Sequence, residues 1–490
     1  MELYKKPAYL LSEMIKKKEC SAVEITQSFF NRIGNIDEKI GAYITLNNEG
    51  ALKAAKVVDE KIAKGEAVSP IAGVPIGIKD NISTKGLLTT CASKMLYNYV
   101  PPFNATVMEK LISNDSVILG KLNMDEFAMG SSTESSYFKL TRNPHNLDKV
   151  PGGSSGGSAA SVAAGECAFA LGTDTGGSIR MPAAYCGVVG LKPTYGTVSR
   201  YGVVAFASSF DQVGPIARNV KDIALLYNAI CGYDKLEATS VKKSYPDFTK
   251  GISGNVKGLR IGIPAEYFGK GVDSEVKEKV LSMVKELEKQ GAKVIEINLP
   301  STEYALSAYY IISSAEASSN LARFDGVRYG YRAKEYDNLI DMYEKTRDEG
   351  FGDEVKRRIM LGTFVLSSGY FDAYYKKAKV VAQNITKEFN HAFEECDVIA
   401  TPTTPVTAFN IGENINDPVK MCAGDICTVP INIAGLPAIS VPCGTICKMP
   451  VGIQFIANKF NENILLNTAR AVELINGEAE VCEISGQEGK

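Results

Sequence analysis

The stretch PGGSSGGS, residues 151–158, places two adjacent serines among four glycines. A phosphate-binding loop would carry a lysine after its last glycine, and none stands here, so we do not expect this stretch to bind a nucleotide. Residues 152–156 match Gly-x-Ser-x-Gly, the pattern of a nucleophile elbow. The ordinary alternative for an isolated Gly/Ser cluster is a flexible turn. The rest of the chain has to decide between these two interpretations.

Composition indicates an ordinary globular protein that does not bind nucleic acid by itself. The 490 residues are 45% hydrophobic and 22% charged, with a net charge of −2. No basic stripe is present to neutralise phosphates. No apolar run is long enough to cross a bilayer, and the amphipathic start lacks the features of a signal peptide. We therefore expect a cytoplasmic protein without membrane contact.

The eleven cysteines are scattered along the chain, and we expect free thiols packed as small apolar groups. A metal site is disfavoured because the spacings closest to a metal-binding pattern are loose and lie in apolar, strand-like segments. The cysteines in that comparison are Cys422, Cys427, Cys443 and Cys447.

Short apolar runs separated by helical stretches predict an α/β fold. We expect a large mixed, mostly parallel central sheet covered by helices. The strand-like runs lie at 73–80, 116–123, 167–178, 259–264, 292–300, 396–406, 436–444 and 450–457.

The chain has no repeat and no low-complexity linker, so we expect a single domain over 1–490. Within it we predict a helical N-terminal segment at 1–65, with a capping box at Ser21–Glu24. A core carrying the glycine motifs follows at 66–235. We predict a mainly helical elaboration at 301–395, and strands and a helix that complete the core at 396–490.

A catalytic serine needs a base, and Lys79 is a better candidate than either histidine. His145 lies in a turn and His391 in a charged helical stretch, where surface roles are common. Lys79 ends the apolar strand VPIGIK. A lysine reaching out to solvent is the usual alternative, but burial would lower its pKa and let the neutral amine act as a base toward serine.

The second glycine-rich turn, GTDTGGSIRMPA at 172–183, places Ser178 where a strand gives way to a helix. Backbone N–H groups at such a turn lack internal partners and suit an oxyanion. A plain helix-capping serine is the alternative.

Five segments in the same order resemble the amidase signature family. They are the GIKD strand end, PGGSSGGSAA at 151–160, the 172–183 turn, CGVVGLKPTYG at 186–196 and ATPTTP at 400–405. The resemblance implies an amidase signature fold, with Ser178 as nucleophile and Lys79 as base. It also implies that Ser154 follows a cis peptide bond and relays the proton between them.

The same resemblance implies an oxyanion hole at the turn before the helix. Its donors would be the backbone N–H groups of Thr175, Gly176, Gly177 and Ser178. We add the hypothesis that Asp174 and Arg180 clamp this turn as an ion pair.

Three further segments, 141–160, 352–378 and 421–442, are closer to one subfamily, the glutaminase subunits of bacterial tRNA-dependent amidotransferases. In that subfamily the amide is free glutamine. The resemblance assigns Arg358 to its α-carboxylate, Asp425 to its α-amino group and Tyr309 to a further contact. One fixed cation and one fixed anion suit a zwitterion. Without the resemblance, Arg358 would be read as a solvated helix residue and Asp425 as a turn residue.

The function implied is that of a glutamine-hydrolysing ligase component in protein biosynthesis, which releases ammonia from glutamine. A kinase/transamidase partner would use ATP and Mg²⁺ to activate Glu-tRNA(Gln), Asp-tRNA(Asn) or both, and a small third subunit would complete a heterotrimer. The tRNA would be held mainly by the kinase/transamidase partner, and this chain would bind no cofactor or metal.

Three alternatives remain. A stand-alone amidase acting on small or aryl amides would share the Lys79, Ser154 and Ser178 triad. A non-catalytic scaffold of the same fold is disfavoured by the intact triad. A histidine-based hydrolase is disfavoured by the positions of both histidines.

Overall fold

The computed structural model describes residues 2–484, in which eleven strands form one mixed sheet. Across the sheet the strands run in the order β1-β3-β2-β4-β6-β5-β10-β11-β9-β7-β8. In chain order they are β1 Tyr43–Leu46, β2 Pro75–Lys79, β3 Val117–Leu122, β4 Phe169–Asp174, β5 Val189–Lys192, β6 Gln212–Ala217, β7 Arg260–Pro264, β8 Lys293–Ile297, β9 Val398–Pro402, β10 Ala438–Ile446 and β11 Met449–Ala457.

Fifteen α-helices accompany the sheet in the same residues. They are α1 Ala8–Lys16, α2 Ala22–Ile40, α3 Asn48–Ala63, α4 Thr106–Ser113, α5 Gly156–Ala163, α6 Arg180–Tyr185, α7 Val220–Ile230, α8 Ser274–Lys289, α9 Ala305–Asn320, α10 Leu339–Gly350, α11 Asp353–Leu366, α12 Lys377–Glu395, α13 Pro418–Ala423, α14 Val429–Ala434 and α15 Glu462–Asn476. None of the helices within 2–484 is both long and apolar enough to span a bilayer.

The segments 2–65 and 301–395 are largely helical in the structure, and the first of them also contains a strand. Ser21 and Glu24 form the predicted capping box at the start of α2. Residues 301–395 contain helices and no strand. The first 65 residues also contain β1, an edge strand antiparallel to β3, which the helical pattern did not reveal because the strand has only four residues.

The mixed sheet is confirmed, but the expectation that it is mostly parallel is wrong. Four strand pairings are parallel and six are antiparallel. Strands β10 and β11 form a hairpin across Cys447 and Lys448, both with positive φ. Short apolar runs show that a strand is buried but not which way it points, so the sequence pattern could not distinguish the two directions.

Apolar side chains cover both faces of the sheet. In β11, Ile453 and Phe455 join one core cluster, while Ile456 joins a second. Because successive strand residues point to opposite faces, the two clusters lie on opposite sides of the sheet. The second cluster includes residues of α9, α11 and α12, so the 301–395 helices cover one face.

The candidate site is positioned by two neighbouring parallel strands. Strand β2 pairs in parallel with β4, so Lys79 and Asp174, the last residues of each, reach the same edge of the sheet. The serine-rich segment 151–158 runs into α5 and the turn at 175–179 precedes α6. Polar groups at the carboxyl ends of parallel strands face the crevice where ligands of α/β proteins bind.

Candidate active site

Lys79 is fully buried and contacts both serines of the 151–158 stretch. Its Nζ is hydrogen-bonded to Ser154 Oγ at 2.7 Å and to Ser155 Oγ at 2.8 Å, and it lies 3.3 Å from the carbonyl of Thr173. Burial lowers the pKa of Lys79 to about 7, against the opposing attraction of Asp125 and other buried carboxylates. A substantial fraction of Lys79 is therefore neutral near pH 7 and able to accept a proton, as the sequence predicted.

The serine loop is held by a neighbouring acidic segment. The Gly153–Ser154 peptide bond is cis, as the family resemblance implies. The Asp125 backbone N–H donates to the Ser154 carbonyl at 3.2 Å. A Cβ on Gly153 would lie 2.0 Å from Asp125 Oδ2, a distance that real side chains do not reach. Only glycine lets the loop approach this carboxylate so closely.

Ser178 lies on the turn that faces this loop. The Ser155 N–H donates to the Ser178 carbonyl at 3.1 Å, and the Ser155 hydroxyl donates to the Thr173 carbonyl at 3.0 Å. Ser178 is 8% exposed, whereas Ser154 is fully buried. The Ser178 hydroxyl makes no hydrogen bond within residues 2–484, so it is free to meet a substrate. The relay from Ser178 to Ser154 stays a prediction.

Asp174 and Arg180 form the ion pair that we hypothesised. Two nitrogens of the Arg180 guanidinium donate to the two carboxylate oxygens of Asp174, each at 3.0 Å, and both side chains are fully buried. Burial alone would raise the pKa of Asp174, but Arg180 lowers it to about 2. Arg180 also donates to the side chains of Asn432 and Gln454, so the pair ties the turn to the C-terminal part of the sheet.

One of the four predicted oxyanion donors is already occupied. The Gly177 N–H donates to Asp174 Oδ1 at 2.8 Å, so it points toward the carboxylate and not toward a substrate. This corrects the prediction for Gly177. The N–H groups of Thr175, Gly176 and Ser178 make no hydrogen bond to any other described residue, and they stay the predicted donors.

Arg358 and Asp425, predicted to bind the two charged groups of glutamine, are both buried. Arg358 lies on α11, is 4% exposed, and donates through Nε to Glu354 at 2.6 Å. Asp425 is 8% exposed and follows α13. Burial raises the pKa of Asp425 to about 7, against hydrogen bonds from Tyr310 and Ser131. Arg358 therefore does not have the solvated position that its local sequence alone would suggest, and Asp425 is a turn residue that is nevertheless buried.

Tyr309 connects the serine turn to these two residues. Its ring packs against Phe210 at 5.6 Å and against Tyr310 at 5.2 Å between centroids. A Cβ on Gly176 would lie 2.7 Å from the Tyr309 hydroxyl oxygen, so the tyrosine lies directly over the turn. The residues that the resemblance placed in one site are thereby linked through contacts.

A small cavity lies beside Tyr310 and Arg358. It has a volume of about 100 Å³, and its lining includes Asp125, Ser131, Tyr310, Arg358 and Cys422. A larger cleft of about 440 Å³ lies elsewhere on the surface, and neither it nor the small cavity is lined by Lys79, Ser154 or Ser178.

Several contacts of the site were missed by the sequence analysis. Ser155 is bonded to Lys79 just as Ser154 is, and its place beside Ser154 in the motif was a usable signal. Ser131 and Tyr310 both donate to Asp425, and no motif marks them. Near Ser131 the chain has positive φ at Phe127, Ala128 and Thr133, a backbone feature that propensity cannot reveal.

Neither histidine approaches the serines. His391 is exposed and pairs with Glu394, while Nε2 of His145 lies 3.1 Å from the Cys186 carbonyl oxygen. All eleven cysteines are free, as predicted. Nowhere in the described part of the chain do three or more His, Cys, Asp or Glu side chains come together as they would around a metal ion.

The sequence matches the Amidase family model over residues 24–466. The chain belongs to the amidase family. The glutamyl-tRNA(Gln) amidotransferase A subunit of Caldanaerobacter subterraneus subsp. tengcongensis is 59% identical over 473 residues, covering 96% of this chain and 97% of the relative.

Solved structures of the family have the same fold. The crystal structure of the glutamyl-tRNA(Gln) amidotransferase A subunit from Thermotoga maritima is 42% identical, with a TM-score of 0.82 over 98% of both chains. A bacterial aryl acylamidase of the amidase signature family is 25% identical, with a TM-score of 0.86 over 96% of both chains. The fold is therefore shared by family members whose names indicate different substrates.

Proposed function

We propose that this chain is the glutamine-hydrolysing subunit of a tRNA-dependent amidotransferase. The observation that carries the proposal is the pair of buried, oppositely charged side chains, Arg358 and Asp425, which both contact Tyr310 beside the serine loop. An uncharged amide would have no use for such a pair, whereas the α-carboxylate and α-ammonium of glutamine match it. The 59% identity to an amidotransferase relative supports the same conclusion.

The chemistry follows from the contacts of Lys79. Ser178 Oγ attacks the side-chain carboxamide carbon of glutamine, and its proton passes through Ser154 to neutral Lys79. The oxyanion of the tetrahedral intermediate accepts from the N–H groups of Thr175, Gly176 and Ser178. The C–N bond breaks as the proton returns from Lys79 through Ser154 to the nitrogen, and ammonia leaves.

The second half of the cycle regenerates the enzyme. The first half leaves a γ-glutamyl ester on Ser178. Water attacks this ester while Lys79 again takes a proton through Ser154. The ester C–O bond then breaks, Ser178 Oγ regains that proton through Ser154, and glutamate is released. Ser155 holds the Lys79 amine in place in both halves, since it bonds Nζ and the Thr173 carbonyl together.

The proposed partner subunits carry out the steps of the amidotransferase reaction that this chain does not. A kinase/transamidase partner uses ATP and Mg²⁺ to activate Glu-tRNA(Gln), Asp-tRNA(Asn) or both, and consumes the ammonia. A small third subunit stabilises the pair, and the tRNA is held mainly by the kinase/transamidase partner. The net charge of −2 on this chain supports that arrangement, because phosphate binding requires clustered cations.

The test is glutamate release from glutamine by the chain co-purified with its partner subunits. Ser178→Ala and Lys79→Ala are expected to abolish release, and Arg358→Ala to raise the glutamine KM. His391→Gln is the matched control and is expected to keep full activity, since His391 is exposed and contacts Glu394, not the serines. Glutaminase activity that survives in Ser178→Ala would remove the proposed nucleophile. A wild type that ignores glutamine but cleaves simple amides would make the protein an ordinary amidase.

A further inference from the structure

Tyr310 touches both of the charged residues assigned to glutamine. We propose that Tyr310 is a positioning residue that holds Arg358 and Asp425 apart, so that each keeps a free edge for one charged group of the substrate. The inference rests on the proposed function and deepens it, because it explains how one pocket keeps a cation and an anion ready at the same time.

The hydroxyl group of Tyr310 fixes the anion. It donates to Asp425 Oδ2 at 2.9 Å, and Ser131 Oγ lies 3.0 and 3.2 Å from the two carboxylate oxygens. These are hydrogen bonds to a buried charged group, which are stronger than those between neutral groups. They leave carboxylate lone pairs unused, because a carboxylate has about four acceptor sites.

The ring of Tyr310 fixes the cation. The guanidinium carbon of Arg358 lies 4.3 Å from the ring centroid, within the range of a cation–π contact. Nε of Arg358 is bound to Glu354, while Nη1 is buried and has no hydrogen-bond partner among the described residues. A buried guanidinium N–H without a partner is costly, so it marks the place where a substrate carboxylate would bind.

The two charges do not form a salt bridge with each other in the described structure, although both contact the same side chain. If they paired directly, each would neutralise the other, and a zwitterion would have to break that pair before binding. A tyrosine in this place satisfies each charge from a different part of one neutral side chain. Phenylalanine would lose the hydroxyl contact to Asp425, and leucine would lose both contacts.

The experiment compares glutamine kinetics of the complex carrying wild type, Tyr310→Phe and Tyr310→Leu. We expect Tyr310→Phe to raise the KM for glutamine about tenfold, the usual scale for one hydrogen bond to a charged group, with kcat within about twofold. Tyr310→Leu is expected to raise KM further. Tyr304→Phe, an exposed tyrosine beside the start of the same helix, is the matched control and is expected to behave as wild type.

Two further measurements distinguish a positioning role of Tyr310 from a general structural defect in the Tyr310 variants. If Tyr310 acts through Asp425, the double variant Tyr310→Phe/Asp425→Asn has the same KM as Asp425→Asn alone. In a Ser178→Ala background, calorimetry is expected to show that Tyr310→Phe weakens glutamine binding but leaves binding of glutaramate, which lacks the α-amino group, within about twofold. Equal weakening of both ligands, or KM values of both Tyr310 variants within twofold of wild type, would overturn the inference. Absence of glutaminase activity in the wild type would instead reject the proposed function.

Discussion

Glutamine hydrolysis by this protein is expected to fall steeply as the pH drops from 8 to 6. Two groups of the site have a pKa of about 7, and both must be deprotonated to act. Lys79 has to be neutral to take the proton from the serines, and Asp425 has to be ionised to hold the α-ammonium group. Burial lowers the pKa of the lysine and raises that of the aspartate, so both groups titrate in the same range and in the same direction.

The size of the fall differs between the two kinetic constants. In the free enzyme the deprotonated fraction of Lys79 and that of Asp425 are each about a half at pH 7 and about a tenth at pH 6. Since both groups must be deprotonated, kcat/KM is expected to fall to about a quarter of its plateau value at pH 7 and to about a hundredth at pH 6. In the complex the bound ammonium lowers the pKa of Asp425, so kcat depends on Lys79 alone. We therefore expect kcat to fall only to about a tenth at pH 6.

The assay is single-turnover glutamate formation by the complex between pH 6 and 9, at saturating and at limiting glutamine. Single turnovers keep product release from hiding the chemical step. Asp425→Asn supplies the internal control, because it is expected to remove one of the two protonation steps from kcat/KM and to leave the kcat profile unchanged. A kcat that stays constant from pH 6 to 8, in protein shown to be folded by circular dichroism, would refute neutral Lys79 as the base.

Three more substitutions test other contacts. Ser155→Ala removes one of the two hydroxyl partners of Lys79 and is expected to lower kcat about tenfold in steady-state kinetics. Ser154→Ala is expected to lower kcat more, by about 10²–10⁴. Equal losses of kcat in the two variants would contradict separate roles for the two serines. Thr428 Oγ1 donates to the Gly176 carbonyl at 2.6 Å, so Thr428→Val is expected to reduce kcat about tenfold while the exposed Thr363→Val does not. Asp174→Asn leaves the buried Arg180 unpaired and is expected to destabilise the fold by about 3–5 kcal/mol in chemical unfolding, whereas Asp397→Asn, in a half-exposed pair, costs about 1 kcal/mol or less.

The candidate catalytic lysine shows how much of the site can be predicted from the sequence. Three strands, β2, β3 and β5, carry a lysine at or near their carboxyl ends, and Lys79, Lys121 and Lys192 are all fully buried. Burial lowers the pKa of each. Only Lys79 contacts serines; Lys121 Nζ bonds the Ile82 carbonyl and Thr89, and Lys192 Nζ bonds the Pro193 carbonyl. The local sequence pattern does not distinguish a catalytic lysine from the other two. The assignment of Lys79 depended on the glycine-rich motifs elsewhere in the chain.

The fold was predictable to the level of elements but not of strand direction. The apolar runs at 73–80, 116–123 and 167–178 became strands β2, β3 and β4, because continuous apolar segments of that length are buried on both faces. The antiparallel placement of β6 between β4 and β5 is decided by long-range packing. No local feature of the sequence indicates the direction of β6.

The substrate pocket was less predictable than the triad for a physical reason. The two serines of the triad lie in or beside glycine-rich turns, where close backbone approach demands glycine and so leaves a mark in the sequence. Asp425, Arg358 and Tyr310 lie on helices or a helix end, where many residue types fit equally well. Their roles come from contacts between segments that are distant in the sequence, such as Ser131 with Asp425, which are 294 residues apart.

This division has a consequence for how the substrate is selected. Lys79, Ser154 and Ser178 are fixed by the sheet edge and by turns that tolerate little change, since a Cβ on Gly153 would collide with Asp125. The residues assigned to glutamine, Tyr309, Arg358 and Asp425, stand on α9, α11 and the segment after α13, which pack against the sheet without belonging to it. We expect substitutions at those helical residues to alter which amide is held and to leave the proposed proton path through Lys79 unchanged. We therefore propose that substrate choice and catalysis are carried by different parts of the chain, and that the pair Arg358 and Asp425, held apart by Tyr310, sets a preference for a zwitterionic amide.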